Sequence, residues 1–500
     1  MIGWLYAATL IGVAIFGAHM ALLLGIAVFA WRRQLQTRAA TSSESWPHVL
    51  IQIPIFNERC VVDRAITAAA SLDYPRDRLR IQVLDDSTDD TPQRARASVA
   101  RLAANGLSIT HVHRRDRSGF KAGALALGLA QVPEAEFVAI FDADFVPRPD
   151  FLKRLLPEFT DQPRLGLVQA RWEHLNHDAT LLTRAQALMF DGYFSVDQVA
   201  RSAAGLLMNF NGAAGLWRRS CVDESGGWQA ETLTEDLDLS YRAQLSGWRF
   251  RFLEDLHVPA EIPVQLSAYK RQQFRWAKGS IQTAKKLLPM VLSAKVPFQV
   301  KLEGFFHLTN NLAYPLMVAL AVMMPLSMVV RFNHGAYSTM FLDMPVFTAA
   351  TASITLFYFV TMRELGYRWL GILVYLPFVM SLGIGMAVNQ CKAVAEALLD
   401  RQSDFARTPK TGSEGKSIKS VKKTYLGRKK ALVPLIELAF AVYYAAALYY
   451  AWDLGIWSTI PFLLLFLVGF SYVGATSLVD LGLRARLAAA LRSTMAQPVA

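Results

Sequence analysis

The distribution of apolar residues limits the architecture of this chain more than any other feature of its sequence. Trp4–Ala30 contains no Asp, Glu, Lys or Arg, and it is longer than the ~20 residues that an α-helix needs to cross a bilayer. Further long apolar runs follow residue 308, whereas residues 32–300 have the composition of an ordinary globular domain. The sequence therefore predicts one globular domain with membrane helices before and after it.

Basic residues near these runs predict their orientation. Arg32, Arg33 and Arg38 directly follow the first run, which places its C-terminal end and the globular domain on the cytoplasmic side. A cleaved signal peptide is less consistent with this run, because no basic region precedes it and the run is too long. Residues 391–430 contain eleven Lys or Arg and four Asp or Glu, so this loop should also be cytoplasmic.

The number of membrane crossings follows from these two cytoplasmic segments. The candidate spans after the globular domain are Leu308–Val330, Pro345–Met362, Leu370–Ala387, Ala431–Trp452 and Ile456–Leu478. Three of them precede the basic loop, but an even number of crossings must join two cytoplasmic segments. We therefore predict that Leu370–Ala387, with its continuation to Leu399, lies in the membrane interface, which leaves five spans; six is the alternative. The expected domains are residues 1–31, 32–300, 301–390, 391–430 and 431–500.

The net charge of +12 arises partly from the basic loop. Positive-inside topology and contact with anionic lipid explain such an excess, so we expect a lipid bilayer as a partner and no nucleic acid. Cys60, Cys221 and Cys391 lie far apart in the sequence and should be reduced and structural in a cytoplasmic setting.

Short β-rich runs alternate with helical patterns in the first part of the globular domain. The predicted strands are Leu50–Ile55, Arg80–Leu84, Ser108–Val112, Phe137–Phe141 and Gly166–Ala170. The predicted helices are Val61–Ala70, Thr91–Ala103, Lys121–Ala130 and Asp150–Phe159. This alternation predicts an α/β domain with a mostly parallel sheet, in which ligands bind beyond the carboxyl ends of the strands.

Polar and acidic residues follow three of these strands. They are Asn57 and Glu58 after the first strand, Asp85 and Asp86 after the second, and Asp142 and Asp144 after the fourth. In an extended backbone Asp142 and Asp144 point to the same side, where they could hold Mg²⁺ or Mn²⁺. A solvated loop is the alternative for any single pair. The buried run Phe137–Phe141 directly before this pair favours the metal site.

Two glycine-containing segments are candidates for binding phosphate or sugar. Arg114–Ala124, which includes Lys121, is a basic turn that leads into a helix; helix N-termini bind phosphate well, but a charged surface loop is an equally good interpretation. It lacks the Walker lysine pattern. Phe210–Gly215, which includes Asn211 and Gly212, consists mostly of small residues. It would let a sugar approach the backbone, or it is only a turn.

The segment Thr234-Glu235-Asp236 supplies candidate general bases. We assign Asp236 as the catalytic base. Helix capping by Thr234, with acidic residues in the first helical turn, is the structural alternative. Capping and catalysis are compatible, so this spacing does not decide between them.

Gln272, Arg275 and Trp276 lie at positions i, i+3 and i+4 and therefore on one face of a helix. The guanidinium of Arg275 can donate a pair of hydrogen bonds to a diphosphate, and Trp276 offers a flat apolar surface to a sugar ring. An amphipathic helix at the membrane surface would also contain Arg and Trp, so this cluster alone favours that simpler interpretation.

Together these motifs resemble a known family. Asp85-Asp86, Asp142-x-Asp144, Thr234-Glu235-Asp236 and Gln272-x-x-Arg275-Trp276, in this order, are similar to the D, D-x-D, T-E-D, Q-x-x-R-W pattern of processive family 2 glycosyltransferases. The resemblance is to cellulose and hyaluronan synthases, and especially to the cellulose-synthase-like A and C branch, which makes β-1,4-mannan, glucomannan or glucan backbones. It implies a cytoplasmic GT-A domain joined to an all-α transmembrane region.

The resemblance also implies roles for individual residues. Donor-binding residues would be Asn57, Glu58, Asp85, Asp86, Lys121, Asp142 and Asp144, with Asp142 and Asp144 as metal ligands. Acceptor-binding residues would be Gln272, Arg275, Trp276, Asn211 and Gly212. The catalytic residues would be Asp236, as the general base, with Glu235, Asp144 and Arg275. A gating loop would use Arg407, Thr408 and Lys410, although Arg407 departs from the usual loop motif.

The expected function is an inverting membrane glycosyltransferase that polymerises hexose from GDP-mannose or UDP-glucose into a β-linked polysaccharide and translocates it. Its partners would be a nucleotide-sugar donor, a growing glycan acceptor and the bilayer of a bacterial inner membrane or an equivalent one. A non-processive enzyme that glycosylates a membrane lipid is the alternative, and a nucleotide-sensing transporter is a more remote one. If the product crosses the membrane, polar and aromatic groups of the spans should face a channel; the candidates are Asn310, Asn311, Tyr314, Tyr443, Tyr444, Tyr449 and Tyr450.

Overall fold

The computed structural model describes residues 2–32, 46–335, 337–401, 410, 412 and 432–495. An N-terminal helix, α1 (Ile2–Arg32), precedes the globular domain. The strands of this domain are β1 (Val49–Ile55), β2 (Leu79–Asp85), β3 (Ile109–His113), β4 (Phe137–Ile140), β5 (Leu165–His174), β6 (Gly215–Arg218) and β7 (Arg249–Ala260). Its helices are α2 (Val62–Ala70), α3 (Thr91–Ala104), α4 (Phe120–Ala130), α5 (Phe151–Leu155), α6 (Leu181–Gly192), α7 (Val199–Ala204), α8 (Arg219–Glu224), α9 (Glu235–Leu245) and α10 (Leu266–Ser293).

The seven strands form one sheet in the order β3-β2-β1-β4-β6-β5-β7. β6 is antiparallel to both of its neighbours, and the other strands are parallel to one another. The predicted mostly parallel sheet is therefore confirmed. The nine predicted elements are present, and two of them differ from the prediction by more than one residue at an end. The helix predicted to end at Phe159 changes to a 3₁₀ turn after Leu155, and the strand predicted to end at Ala170 continues to His174.

Helices cover both faces of the sheet, which explains why its strands are almost continuously apolar. Successive residues of a strand point to opposite faces. Leu50 packs with Leu125 and Val138 on the face covered by α4, α8 and α9. Ile51 packs with Ile81 on the face covered by α2, α3 and α5. Each such buried side chain stabilises the fold by about 1.5–3 kcal/mol, so the sheet is a rigid support for the loops at its carboxyl edge.

The second half of the chain is helical. Its helices are α11 (Phe298–Thr309), α12 (Ala313–Asn333), α13 (Tyr337–Glu364), α14 (Trp369–Gly385), α15 (Ala387–Leu398), α16 (Leu432–Asp453) and α17 (Ile460–Met495). In the described part of the chain, five segments are long and apolar enough to cross a membrane: Gly3–Arg32, Phe298–Asn333, Trp369–Leu398, Leu432–Asp453 and Trp457–Leu481.

The segment that we predict to lie in the interface, Leu370–Ala387, falls in one of these five segments. Its continuation α15 is amphipathic and packs on α10, where Val394 and Ala397 contact Ile281. The side-chain amide of Asn389 also donates to the Lys270 carbonyl at 3.1 Å. The interfacial placement of Leu370–Ala387 stays a prediction, because its length and composition would equally allow a crossing.

Candidate active site

A pocket lies at the carboxyl edge of the parallel strands, where α9 and α10 close over it. Most of the predicted site residues line it, namely Glu58, Asp86, Lys121, Asp142, Asp144, Asn211, Gly212, Glu235, Asp236, Gln272, Arg275, Trp276 and Lys410. Asn57 and Asp85 are not among its lining residues. The predicted gating residues Arg407 and Thr408 lie outside the described residues.

Asp85 turns away from the pocket. It is the last residue of β2 and is fully buried, and it accepts hydrogen bonds from the Ser87 backbone N–H at 2.8 Å and from His111 Nε2 at 2.8 Å. Burial raises the pKa of Asp85, but the bonds from His111 and Ser87 outweigh burial and leave this pKa below its ordinary value. Asp85, His111 and His113 are close enough together to hold a metal ion. The direct His111–Asp85 bond nevertheless indicates a link between the neighbouring strands β2 and β3.

Asn57 also has a structural position. Its φ of 56° lies in the left-handed region, which Asn tolerates better than most residues. Its side-chain oxygen accepts hydrogen bonds from the backbone N–H groups of Thr88 at 2.8 Å and Asp89 at 3.2 Å. Asn57 therefore joins the turns after β1 and β2 and does not line the pocket.

Asp86, the neighbour of Asp85, points to the other side and lines the pocket. Arg114 forms a two-pronged ion pair with it, through Nε at 2.7 Å and Nη2 at 2.6 Å. Arg117 lies over the ring of Phe56, 3.4 Å from its centroid. The basic turn thus folds against one end of the pocket and is not a free surface loop.

Lys121, from the first turn of α4, lies at the centre of the pocket. Its ammonium donates to Asp142 Oδ1 at 2.6 Å and to the Gly212 carbonyl at 2.8 Å, and it lies 4.0 Å from Glu235. Burial lowers the pKa of Lys121, but the surrounding carboxylates outweigh burial and leave it above its ordinary value. Lys121 therefore stays charged and ties the loops after β4 and before β6 to α9.

Asp142 and Asp144 both line the pocket, but not for the expected reason. β4 ends at Ile140, and the Phe145 N–H donates to the Asp142 carbonyl at 3.0 Å. The pair therefore lies on a turn and not on an extended strand, so the period-two argument for their common direction was wrong. The turn brings both carboxylates to the pocket.

Asp144 is 98% buried and accepts a hydrogen bond from Lys410 Nζ at 2.6 Å and one from the Glu261 backbone N–H at 3.1 Å. Burial raises the pKa of Asp144; Lys410 opposes this, and Asp142 and Glu261 add to it, so the pKa lies above its ordinary value. Asp142, Asp144 and Glu261 thus bring carboxylate oxygens together, and each carboxylate is paired with a cation of the protein. Carboxylate oxygens are the ligands that a hard divalent cation prefers, so this donor set fits Mg²⁺ or Mn²⁺ in exchange for the lysine ammonium groups.

Asp236 lies in the first turn of α9 and lines the same pocket. Burial, and then the neighbouring Glu235 carboxylate, raise the pKa of Asp236 to about 7, although Lys121 lowers it. A side chain at Gly212, whose φ is +82°, would approach Asp236 Oδ2 to 2.9 Å. Glycine at that position therefore leaves the space that Asp236 occupies.

The hydroxyl of Thr234 does not cap α9, as the structural alternative required. It is bonded to the Thr283 hydroxyl of α10 at 3.1 Å. A Cβ at Gly279 would lie 2.6 Å from the Thr234 side chain, so the two segments pack very closely. This contact fixes α10, and with it the face carrying Gln272, Arg275 and Trp276, against the segment that carries Asp236.

The end of the pocket near α10 is aromatic. Trp276 contacts Phe190 with ring centroids 5.7 Å apart, and Trp172 contacts Phe145 at 5.1 Å and Phe190 at 6.2 Å. His174 packs on Phe190 at 5.2 Å. Arg275 and Gln272 line the pocket beside these rings. The pocket therefore has a charged end and an aromatic end, with Asp236 lining the same space.

Several lining residues escaped the sequence analysis, chiefly Trp172, His174, Phe190 and Glu261. His174 ends β5, and Glu261 directly follows β7. Both stand at the same edge as the acidic motifs. Applying the strand-end rule to the whole of β5, and recognising β7, would have found them. Phe190, on α6, carries no comparable signal in the sequence.

The comparisons with known proteins agree with this geometry. Residues 47–279 match the family described as "Glycosyltransferase like family 2". This part of the chain is therefore similar to a family 2 glycosyltransferase domain. Its observed architecture is the GT-A fold that the resemblance implied.

Two curated relatives match a little over half of this chain. Glucomannan 4-beta-mannosyltransferase 2 of Arabidopsis thaliana is 44% identical over 54% of this chain and 52% of its own length. Probable glucomannan 4-beta-mannosyltransferase 7 of Oryza sativa is 40% identical over 61% of this chain and 56% of its own length. The chain thus spans about half the length of the curated relatives it matches. A mannosyltransferase of Pyrobaculum calidifontis, solved in complex with GDP-Man and Mn2+, is 21% identical over 79% of this chain and all of its own, with a TM-score of 0.49.

Proposed function

We propose that this protein transfers a hexose from a nucleotide-sugar to the end of a growing β-linked glycan, with inversion at the anomeric carbon. The observation that carries this proposal is the position of Asp236. A buried carboxyl group with a pKa of about 7 lines one pocket together with a charged end and an aromatic end. These are the surroundings that a base needs between a charged donor and a sugar acceptor.

The charged end suits a nucleoside diphosphate. Phe56, Arg117 and Asp86 would contact the nucleoside. Lys121 and Arg275 also line the pocket, and both can neutralise diphosphate oxygens. A divalent cation held by Asp142 and Asp144 would supply further charge stabilisation for the leaving diphosphate. The bonds of Lys121 to Asp142 and Gly212 hold its ammonium in the pocket, where it would contact the diphosphate.

The aromatic end suits the acceptor. An acceptor sugar on Trp276 would present a hydroxyl to Asp236, which takes its proton while the oxygen attacks the anomeric carbon. The bond from that carbon to the diphosphate breaks at the same time. The pKa of about 7 favours this role, because a general base is most effective when its pKa lies near the working pH. One displacement of this kind inverts the anomeric centre.

The donor that we propose is GDP-mannose. The sequence motifs allow GDP-mannose and UDP-glucose equally, and the relatives named as mannosyltransferases favour mannose. The Mg²⁺ or Mn²⁺ requirement belongs to the same proposal.

A second cavity, of about 460 Å³, supports passage of the product into the membrane region. Helices α1, α12, α13 and α14 contribute to its walls. Asn310, Asn311 and Tyr314 line it, as the channel hypothesis requires. Asn211 lines the catalytic pocket, and its side-chain amide donates to the Tyr193 hydroxyl at 2.8 Å; Tyr193 lines the membrane cavity. The two cavities are therefore adjacent at this hydrogen-bonded pair.

The four other tyrosines proposed for the channel do not line this cavity. The Tyr443 and Tyr444 hydroxyls donate to the carbonyls of Val322 and Ala321, both at 3.0 Å. Tyr450 donates to Asn333, and Tyr449 is 73% exposed. The channel hypothesis is thus better placed on α11 to α14 than on α16.

Two measurements test this function. The protein purified in detergent should convert GDP-mannose, in the presence of Mn²⁺, into a product that mannanase digests and β-glucanase does not. Conversion of UDP-glucose alone would assign the other donor, and transfer only to a lipid would favour the non-processive alternative. In sealed vesicles with donor on the side of the globular domain, polymer should accumulate inside, protected from added mannanase.

A further inference from the structure

The pocket contains a buried histidine that the proposed mechanism does not use. His174 is 94% buried and lines the pocket. Neither of its ring nitrogens has a hydrogen-bond partner among the residues that the structure describes. Buried polar atoms are nearly always paired in folded proteins, so an imidazole that faces a binding pocket with two unmet nitrogens requires an explanation.

The position of His174 restricts that explanation. Its ring packs on Phe190, which in turn contacts Trp276. His174 therefore belongs to the aromatic end of the pocket and not to the end formed by Asp86 and Arg117. The side-chain oxygen of Gln272, which also lines the pocket, is likewise buried without a partner in the described structure. Buried polar atoms without a hydrogen-bond partner thus lie beside the rings at the aromatic end of the pocket.

The charge state of His174 restricts the ligand further. Burial, and then electrostatic interactions with Arg171, His177 and Lys410, lower the pKa of His174 to about 3. The ring is therefore neutral at physiological pH and offers one N–H donor and one nitrogen acceptor. A phosphate would need donors only, whereas a sugar hydroxyl both donates and accepts. The chemistry of this ring matches a sugar hydroxyl.

We infer that His174 is a specificity residue for the acceptor, hydrogen-bonding a hydroxyl of the glycan's terminal sugar while Trp276 holds the ring. This inference rests on the proposed function, because it takes a glycan as the ligand of the aromatic end. Binding sites that pair buried polar groups with a substrate hydroxyl discriminate strongly against analogues that lack it. His174 would accordingly select which sugar end is extended.

The test uses the full-length protein in detergent and a β-1,4-linked mannan oligosaccharide, together with analogues deoxygenated at single positions of the non-reducing end. His174→Phe keeps an aromatic ring and removes both nitrogens, and His174→Gln keeps a polar end. His177→Phe is the matched control, because the His177 side chain lies on the same turn and is 53% exposed. Oligosaccharide Kd, from tryptophan fluorescence, and transfer from GDP-mannose are both measured.

We expect His174→Phe to weaken oligosaccharide binding and acceptor kcat/KM by about 10- to 100-fold, the effect of losing one or two hydrogen bonds. Nucleotide Kd should stay within about twofold, and His177→Phe should match the wild type. His174→Gln should recover part of the loss. One deoxy analogue should bind wild type and His174→Phe equally, because it lacks the hydroxyl that His174 contacts.

The inference is overturned if a folded His174→Phe protein keeps wild-type oligosaccharide affinity, or if it loses the same factor with every analogue. If His174→Phe does not fold, the same comparison with His174→Gln decides. Failure of the proposed function gives a different result: the wild type then binds the oligosaccharide without extending it, and the Kd series still tests His174. A wild type that does not bind the oligosaccharide at all refutes the inference.

Discussion

The two ends of the pocket differ in whether their polar groups are already paired within the protein. At the charged end, protein cations already meet the carboxylates: Arg114 holds Asp86, Lys121 holds Asp142 and Lys410 holds Asp144. At the aromatic end, His174 and Gln272 keep buried polar atoms without partners among the described residues. A charged ligand can replace one partner of an internal ion pair. A neutral sugar instead needs polar atoms that still lack a hydrogen-bond partner. The difference indicates which ligand each end accepts.

The largest effect on turnover should come from substitution of Asp236, which would act on the acceptor while the donor is bound. Asp236→Asn keeps the shape of the side chain and removes the base, so we expect kcat to fall by ~10²–10⁴-fold. Nucleotide and oligosaccharide Kd should change by less than about threefold, measured by calorimetry in detergent. Wild-type turnover in this variant would remove Asp236 from the role of base.

The pH dependence of transfer should follow the ionisation of Asp236. The folded-state pKa of Asp236 is raised to about 7, so the carboxylate needed for catalysis is present above that pH and lost below it. We expect kcat/KM to fall about tenfold per pH unit below 7 and to level off above it. The residual activity of Asp236→Asn should lack this dependence. An unchanged profile between pH 5 and 8 in the wild type would contradict the assignment.

At the charged end, Asp144→Ala should weaken nucleotide-sugar binding by about 10- to 100-fold, the range for losing a charge-assisted contact. Activity should also respond less to Mg²⁺ or Mn²⁺. Asp150→Ala is the control, because Asp150 pairs with Arg148 outside the pocket. Oligosaccharide affinity should be unchanged. Full activity of the wild-type protein in EDTA would refute the metal site itself.

At the aromatic end, Trp276→Ala should raise the acceptor KM about tenfold, because it removes the flat surface under the sugar ring. Trp276→Phe should keep most of the affinity. The nucleotide Kd should not change in Trp276→Ala. Equal losses of donor and acceptor affinity in this variant would show that the two ends of the pocket do not bind separate ligands.

The smallest kinetic effect should come from Asp85, which belongs to neither end. Asp85→Asn should change donor KM by less than about threefold, while Asp86→Asn should raise it by about tenfold or more. Asp85→Asn should instead lower stability by ~1–3 kcal/mol, since it weakens buried bonds to His111 and Ser87, and this is measurable as a lower Tm. A larger kinetic effect at Asp85 than at Asp86 would contradict the orientation of β2.

Local patterns in the sequence were sufficient for much of the fold. The alternation of strands and helices predicted the parallel sheet, because burial on both faces leaves continuous apolar strands. Apolar runs predicted helices long enough to cross a membrane, although in the described part of the chain Trp369–Leu398 is such a segment and Pro345–Met362 is not. All four motifs contribute lining residues to the pocket. The two acidic pairs were predicted to meet because strand ends come together at one edge of such a sheet.

Other features were decided only by the tertiary structure. Asp85 ends β2 and Asp86 directly follows it, and the packing around this strand end determines which of the two faces the pocket. Phe190 comes from a helix, and its place in the pocket depends on how α6 packs. His174 looks ordinary in the sequence, and only its burial beside an aromatic surface, with both nitrogens unmet, marks it. Side-chain direction, long-range packing and hydrogen-bond satisfaction depend on residues far apart in the chain, and for that reason the sequence alone could not determine them.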